Sequence, residues 1–105
     1  METYPVRYSP EALRDLEHVW DDVYEASKST AIADNYLDEL MDKIAEKSTF
    51  PQSGIPLLYD NLFTGYYSVN FKKYKAFYRF KDSYIDVARI IMSKRDYMSL
   101  LFDNE

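Results

Sequence analysis

The side chains of this sequence best equipped for chemistry are cations set among aromatic rings between Gly65 and Asp96. They are Lys72, Lys73, Lys75, Arg79, Lys81, Arg89, Lys94 and Arg95, interleaved with tyrosines. Residues 66 to 95 hold 8 Lys/Arg against 2 Asp/Glu, whereas residues 1 to 50 hold 5 against 12. The net charge of −5 therefore hides an acidic part and a basic part. An anion or a nucleic acid is drawn to the second and repelled by the first.

Other groupings promise less. His18 and Asp22 lie four apart and Glu25 three further on, so a helix would put all of them on one face as metal ligands. A lone His amid surface carboxylates reads more simply as solvated, and neither a metal nor a cofactor is expected. Ser, His and Asp are all present, but no nucleophile elbow accompanies them, which argues against a hydrolase triad. The absence of Cys removes disulfides, thiolate metal sites and a Cys nucleophile.

The elements that must position the basic residues follow from periodicity. Tyr4 to Tyr8 alternates Val6 and Tyr8 with Arg7 and reads as a short strand. Ser9-Pro10-Glu11 then opens a helix: a capping hydroxyl, a proline suited to the first helical position, and an acid at the positive end of the dipole. Leu13, Leu16, Trp20, Val23 and Tyr24 form its apolar stripe, and Asp15, Asp22 and Glu25 read as the solvated face. A second helix starts near Ser29 or Thr30 and runs to about Lys47 on the stripe Ile32, Tyr36, Leu37, Leu40, Met41 and Ile44, giving an antiparallel helix hairpin. Phe50 to Gly65 reads as a long connection packed by Leu57, Leu58 and Phe63.

Past Gly65 the period becomes two. Tyr66 to Phe71, Tyr74 to Lys81 and Tyr84 to Met92 read as an antiparallel meander with turns at Lys72-Lys73 and Asp82-Ser83. In its middle strand Tyr74, Ala76, Tyr78 and Phe80 share one face, suited to the helices. Lys75, Phe77, Arg79 and Lys81 share the other, read as an exposed basic face. Lys72-Lys73 has a plain reading as a turn kept soluble and protected from edge pairing. Arg89, flanked by Ala88 and Ile90, is either a structural ion-pair partner of Asp86 or of an acidic helix residue, or a functional cation. A final helical stretch from about Lys94 to Phe102 carries Met98, Leu101 and Phe102.

The whole is an α+β expectation: an N-terminal strand, an antiparallel helix hairpin packed on one face of a small, mainly antiparallel sheet, and a short C-terminal helix. This order resembles the RelE/ParE family of bacterial toxins from type II toxin-antitoxin modules. The resemblance rests on Val6-Arg7-Tyr8-Ser9-Pro10-Glu11-Ala12 with Asp15-Leu16, on Phe50-Pro51-Gln52-Ser53-Gly54, on Tyr74-Lys75-Ala76-Phe77-Tyr78-Arg79, and on Lys94-Arg95-Asp96.

The resemblance implies a toxin that arrests growth when free of its antitoxin, by one of two routes. Ribonuclease members cleave mRNA on the ribosome, where cations hold the phosphate and groups with acid/base capacity assist the attack of a ribose 2′-oxygen. Lys75 and Arg95 match the positions implied as catalytic, and Lys72, Lys73, Arg79 and Tyr97 are candidates for binding nucleic acid or another target. Tyr66, Ser68 and Asn70 replace the basic residues expected in the preceding strand, and Leu101 stands where some members carry a catalytic Tyr. Gyrase-poisoning members are not enzymes, and Arg95-Asp96 resembles that branch. A binding module that has lost toxicity is the third class. The family further implies an antitoxin partner whose acidic groups meet Lys75, Arg79 and Arg95.

With 105 residues, 47% hydrophobic and 30% charged, residues 1–105 are expected to form one domain around one core. No apolar run approaches the ~20 residues of a membrane span, and the first residues lack the basic, apolar character of a secretory signal. The expected address is the cytoplasm.

Overall fold

The computed structural model describes residues 3–93 and residue 101. The chain runs β1 (Val6–Tyr8), α1 (Pro10–Ser27), α2 (Thr30–Ala45), β2 (Ile55–Tyr59), β3 (Leu62–Phe71), β4 (Tyr74–Lys81) and β5 (Tyr84–Met92), with short 3-10 turns at Glu46–Ser48 and Pro51–Ser53. The five strands form one sheet in the order β1-β5-β4-β3-β2. The β1–β5 pair is parallel and the other three are antiparallel. Both helices pack on one face of the sheet, where Ala12, Leu16, Val19, Leu40 and Ile44 meet Val69, Tyr74, Ala76, Tyr78, Ile85, Val87 and Ile90.

The helix ends form for the reasons legible in their residues. Ser9 is extended, with φ −64° and ψ 161°, and its side chain accepts a hydrogen bond from the Ala12 N–H. The same hydroxyl donates to the Ala88 carbonyl at 2.8 Å, tying the start of α1 to β5. At the other end Lys28 takes a left-handed conformation (φ 56°) and donates its N–H to the Tyr24 carbonyl. This αL residue ends α1 in the usual way. Ser29 follows at once as the cap of α2, accepting from the Ile32 N–H.

Four expectations need correction. The segment 50–65 is no plain loop: β2 pairs with β3 through Ile55↔Ser68 and Tyr59↔Leu62. Its turn is Asp60-Asn61, both left-handed, which is the geometry a two-residue hairpin requires. On α1 the buried face is Ala12, Asp15, Leu16 and Val19 rather than the stripe led by Leu13, which is half exposed, so Asp15 leaves the solvated face. On β4, Phe77 is fully buried although it lies opposite Tyr78, so that face is not simply open. The second helix also stops at Ala45, two residues short of the expected Lys47, and tightens into the 3-10 turn.

The expected terminal helix falls outside the described residues, with Lys94, Arg95, Asp96, Tyr97, Met98 and Phe102; Leu101 is helical and half-buried. Among the described residues no helix is long and apolar enough to cross a membrane.

Candidate functional site

The candidate site is the face of the sheet turned away from the helices, and the strand register lays it out in rows. In the first row Arg7 of β1 stands opposite Asp86 of β5, and Asp86 stands opposite Arg79 of β4. Arg79 Nε donates to Asp86 Oδ2 at 3.2 Å. Beyond Arg79 lies Tyr66 of β3, whose ring centre is 5.5 Å from the guanidinium carbon. Arg7 is stacked over Tyr84 at 4.2 Å. Both arginines are thus held over tyrosine rings by cation–π contact, with one carboxylate between them.

The next row is dry. Phe77 pairs with Ser68 on one side and Arg89 on the other, and Phe77 and Ser68 are both buried. Lys75 follows, half-buried, opposite Asn70 and Ile91. Lys75 and Arg79 therefore share a strand face, about 13 Å apart along the strand, with Phe77 between them.

Arg89 stands in this row opposite Phe77, but its guanidinium is drawn to α1. The β4–β5 register slips between Phe77↔Arg89 and Tyr78↔Val87, so Ala88 is an extra residue in β5. Such a bulge bends the strand and re-aims its side chains. The Arg89 guanidinium reaches Asp15 of α1 through two hydrogen bonds, at 2.8 and 3.1 Å, and the same carboxylate accepts from the Ile90 N–H at 2.9 Å. The Asp15 bond raises the Arg89 pKa and fixes its charge. Of the two readings the residue allowed, the ion pair with an acidic helix residue is the one formed, and Asp86 is engaged by Arg79 instead.

Lys72 and Lys73 occupy the β3–β4 turn but belong to the other side of the molecule. Lys72 Nζ lies 3.7 Å from Glu39 of α2 and 4.8 Å from the Tyr36 ring centre, and Lys73 Nζ lies 5.8 Å from that of Tyr74. The fold thus groups Lys75 with Arg79 and sets Lys72 and Lys73 apart. Arg95 and Tyr97 lie outside the described residues. Arg7 is a member of the face that reading the basic stretch alone misses; its alternation with Val6 and Tyr8 carried the signal.

The resolved tyrosine shifts belong to the helix side of the sheet. Burial raises the pKa of Tyr8 and of Tyr78 to about 12 and raises those of Tyr36 and Tyr74 as well. Tyr74 is pushed further by donating to Asp22 at 3.2 Å. Each of these shifts leads away from neutrality, whereas a general acid or base works best with a pKa near the operating pH. Among the described residues no group of three His, Asp or Glu side chains could hold a metal ion. A cleft of about 280 Å³ opens beside the first row, lined by Ser9, Glu11, Tyr66, Arg79, Asp86 and Leu101 among others.

A family model described as the ParE toxin of the type II toxin-antitoxin system parDE matches residues 6–97. No curated protein matches the sequence. Among solved structures, the chromosomal ParDE TA system from P. aeruginosa superposes with a TM-score of 0.70 at 15% identity, over 86% of this chain and 96% of that one. A free-state mutant of the E. coli toxin RelE gives 0.66 at 14% identity, over 94% and 93%. The toxin-antitoxin complex RelBE2 from Mycobacterium tuberculosis gives 0.61 at 21%, over 87% and 99%.

Proposed function

The chain belongs to the ParE toxin family of type II toxin-antitoxin systems, and on that premise we propose that, when free of its antitoxin, it arrests growth as a non-enzymatic poison of DNA gyrase. The observation that carries this reading is the Arg79–Asp86 pair in the first row of the outer face. A surface that cleaves RNA needs cations aimed at the phosphate as charge builds on it. Here both arginines that line the cleft, Arg79 and Arg89, are already paired with carboxylates, and a phosphate approaching them meets that negative charge. The net charge of −5 acts in the same direction, because binding among phosphates gains affinity from positive charge.

The antitoxin is the second partner in this reading. The family's modules pair toxin with antitoxin, and a structural relative is itself a toxin-antitoxin complex. A segment with acidic groups suits the Lys75 end of this face, about 13 Å along the strand from the Arg79–Asp86 pair.

Induced expression without antitoxin tests the proposal, with DNA breaks, mRNA ends and translation rate followed in one culture. Double-strand breaks with intact mRNA are expected, together with loss of supercoiling by purified gyrase. Cleaved mRNA on translating ribosomes with intact DNA would overturn the reading in favour of a ribonuclease. Neither lesion would make the chain a binding module without toxicity.

A further inference from the structure

We propose that Asp86 is an internal occupant of the Arg79 guanidinium that keeps single-stranded RNA off the outer face of the sheet. This makes it a determinant of what the protein binds as well as part of the fold. The inference rests on the reading that the target is not RNA, and it assigns that exclusion to one side chain.

The surroundings of Asp86 are those of a polyanion site with its place already taken. Two arginines flank it in register, one on each neighbouring strand. Each is held by a tyrosine ring, Arg7 over Tyr84 and Arg79 beside Tyr66. Guanidinium groups steadied by aromatic rings are the elements from which surfaces for single-stranded nucleic acid are built, the cation meeting phosphate and the ring meeting a base. The strands place such a pair on either side of Asp86, and Arg79, Asp86 and Tyr66 line a cleft of about 280 Å³. The carboxylate between the arginines reverses the outcome. Its side chain is 18% exposed against 43% for Arg79, so Asp86 is the more sheltered member of the pair. A phosphate that reaches the outer N–H groups of Arg79 does so beside a carboxylate already bonded to Nε at 3.2 Å, and is repelled by it.

The exposure of Arg79 also makes the idea testable without unfolding the protein. An arginine that loses its partner while nearly half exposed is solvated by water, so Asp86→Asn should fold; asparagine keeps the shape and an acceptor oxygen. Binding of a fluorescein-labelled polyuridine oligonucleotide is measured by anisotropy at two salt concentrations, with thermal unfolding as the check on folding. Removal of one negative charge close to the approaching phosphate is expected to tighten binding roughly three- to ten-fold at low salt and to steepen the salt dependence by up to about one phosphate contact. Adding Arg79→Gln should abolish the gain.

Three results would overturn the proposal. One is unchanged affinity in the folded Asp86→Asn protein. Another is a gain that persists in the Asp86→Asn/Arg79→Gln double variant. The last is an equal gain from Asp38→Asn on the exposed side of α2, which would reduce the effect to net charge. Gyrase inhibition by the unsubstituted chain is scored separately, so its absence would count against the gyrase reading without touching this result.

Discussion

Asp15 accepts three hydrogen bonds, two from Arg89 and one from the Ile90 N–H, and this makes it the polar centre of the helix–sheet contact. Asp15→Asn keeps the shape but leaves Arg89 without its counter-charge. The expected cost is about 3 kcal/mol, at the low end for a broken buried pair because 25% of the Arg89 side chain stays exposed. Chemical denaturation measures it, and Arg89→Lys should fare little better, since an ammonium cannot make the two-pronged contact. Tyr78 holds a second such point: its hydroxyl donates to the Pro51 carbonyl at 2.6 Å and accepts from the Gly54 N–H at 3.1 Å. Tyr78→Phe strands both backbone groups and should cost about 1–3 kcal/mol by the same measurement. Gly54→Ala attacks the contact from the other side, because its Cβ would lie 2.5 Å from the tyrosine oxygen. A similar loss is expected, with the Tyr78 hydrogen bonds broken rather than merely weakened. The sequence showed Tyr78 as core and marked the Phe50–Gly54 stretch by family resemblance. That the glycine is small for the sake of a tyrosine 24 residues away is a fact of packing, invisible to local pattern.

At the scale of elements, the helices were legible because each advertises its ends: Ser9-Pro10 and Ser29 cap them, and the apolar residues recur at helical spacing. Two features of the sheet were not. Ile55–Tyr59 lacks an alternating pattern and contains Pro56, because as an edge strand projecting from the body it has no buried face to declare; four of its five residues are exposed. The slip at Ala88 breaks the period of two within β5, so that Arg89 falls in the Phe77 row and Ile90 joins Val87 in the core. The candidate site suffered from the same limit. Lys75 and Arg79 were found together by strand period, whereas the Arg7–Asp86–Arg79 row depends on a parallel pairing between distant parts of the chain. The β4–β5 turn offers a prediction at this scale. Asp82 and Ser83 are both left-handed, at φ 52° and 66°, a conformation that penalises a side chain. Ser83→Gly should stabilise the protein by about 0.5–1 kcal/mol, the relief of that strain less the added freedom of the unfolded chain. A raised thermal midpoint with an unchanged denaturant slope would show it; a lowered midpoint would mean the Ser83 side chain has a role of its own.

For the molecule as a whole, the buried tyrosines set a boundary in alkali. Tyr8 and Tyr78 ionise near pH 12 in the folded protein against about 10 in the unfolded chain. A group whose folded pKa is raised contributes stability that is complete below the unfolded value and disappears as pH climbs through the folded one. Their contribution to stability should therefore be level below about pH 10 and decline between about 10 and 12. Urea midpoints across that range measure the decline, and Tyr78→Phe should make it shallower. The order of strands carries a different consequence, one about time. β1 rests against β5, with Ser9 bonded to Ala88 at a separation of 79 residues, and β5 also forms the central seam with β4. During synthesis the helix hairpin and the strands up to β4 emerge first, but the place between β1 and β4 stays vacant until the last described strand arrives. A ribosome that stops early releases a chain with neither a closed sheet nor an assembled Arg7–Asp86–Arg79 row. A chain built this way closes its sheet only when β5 is in place between β1 and β4.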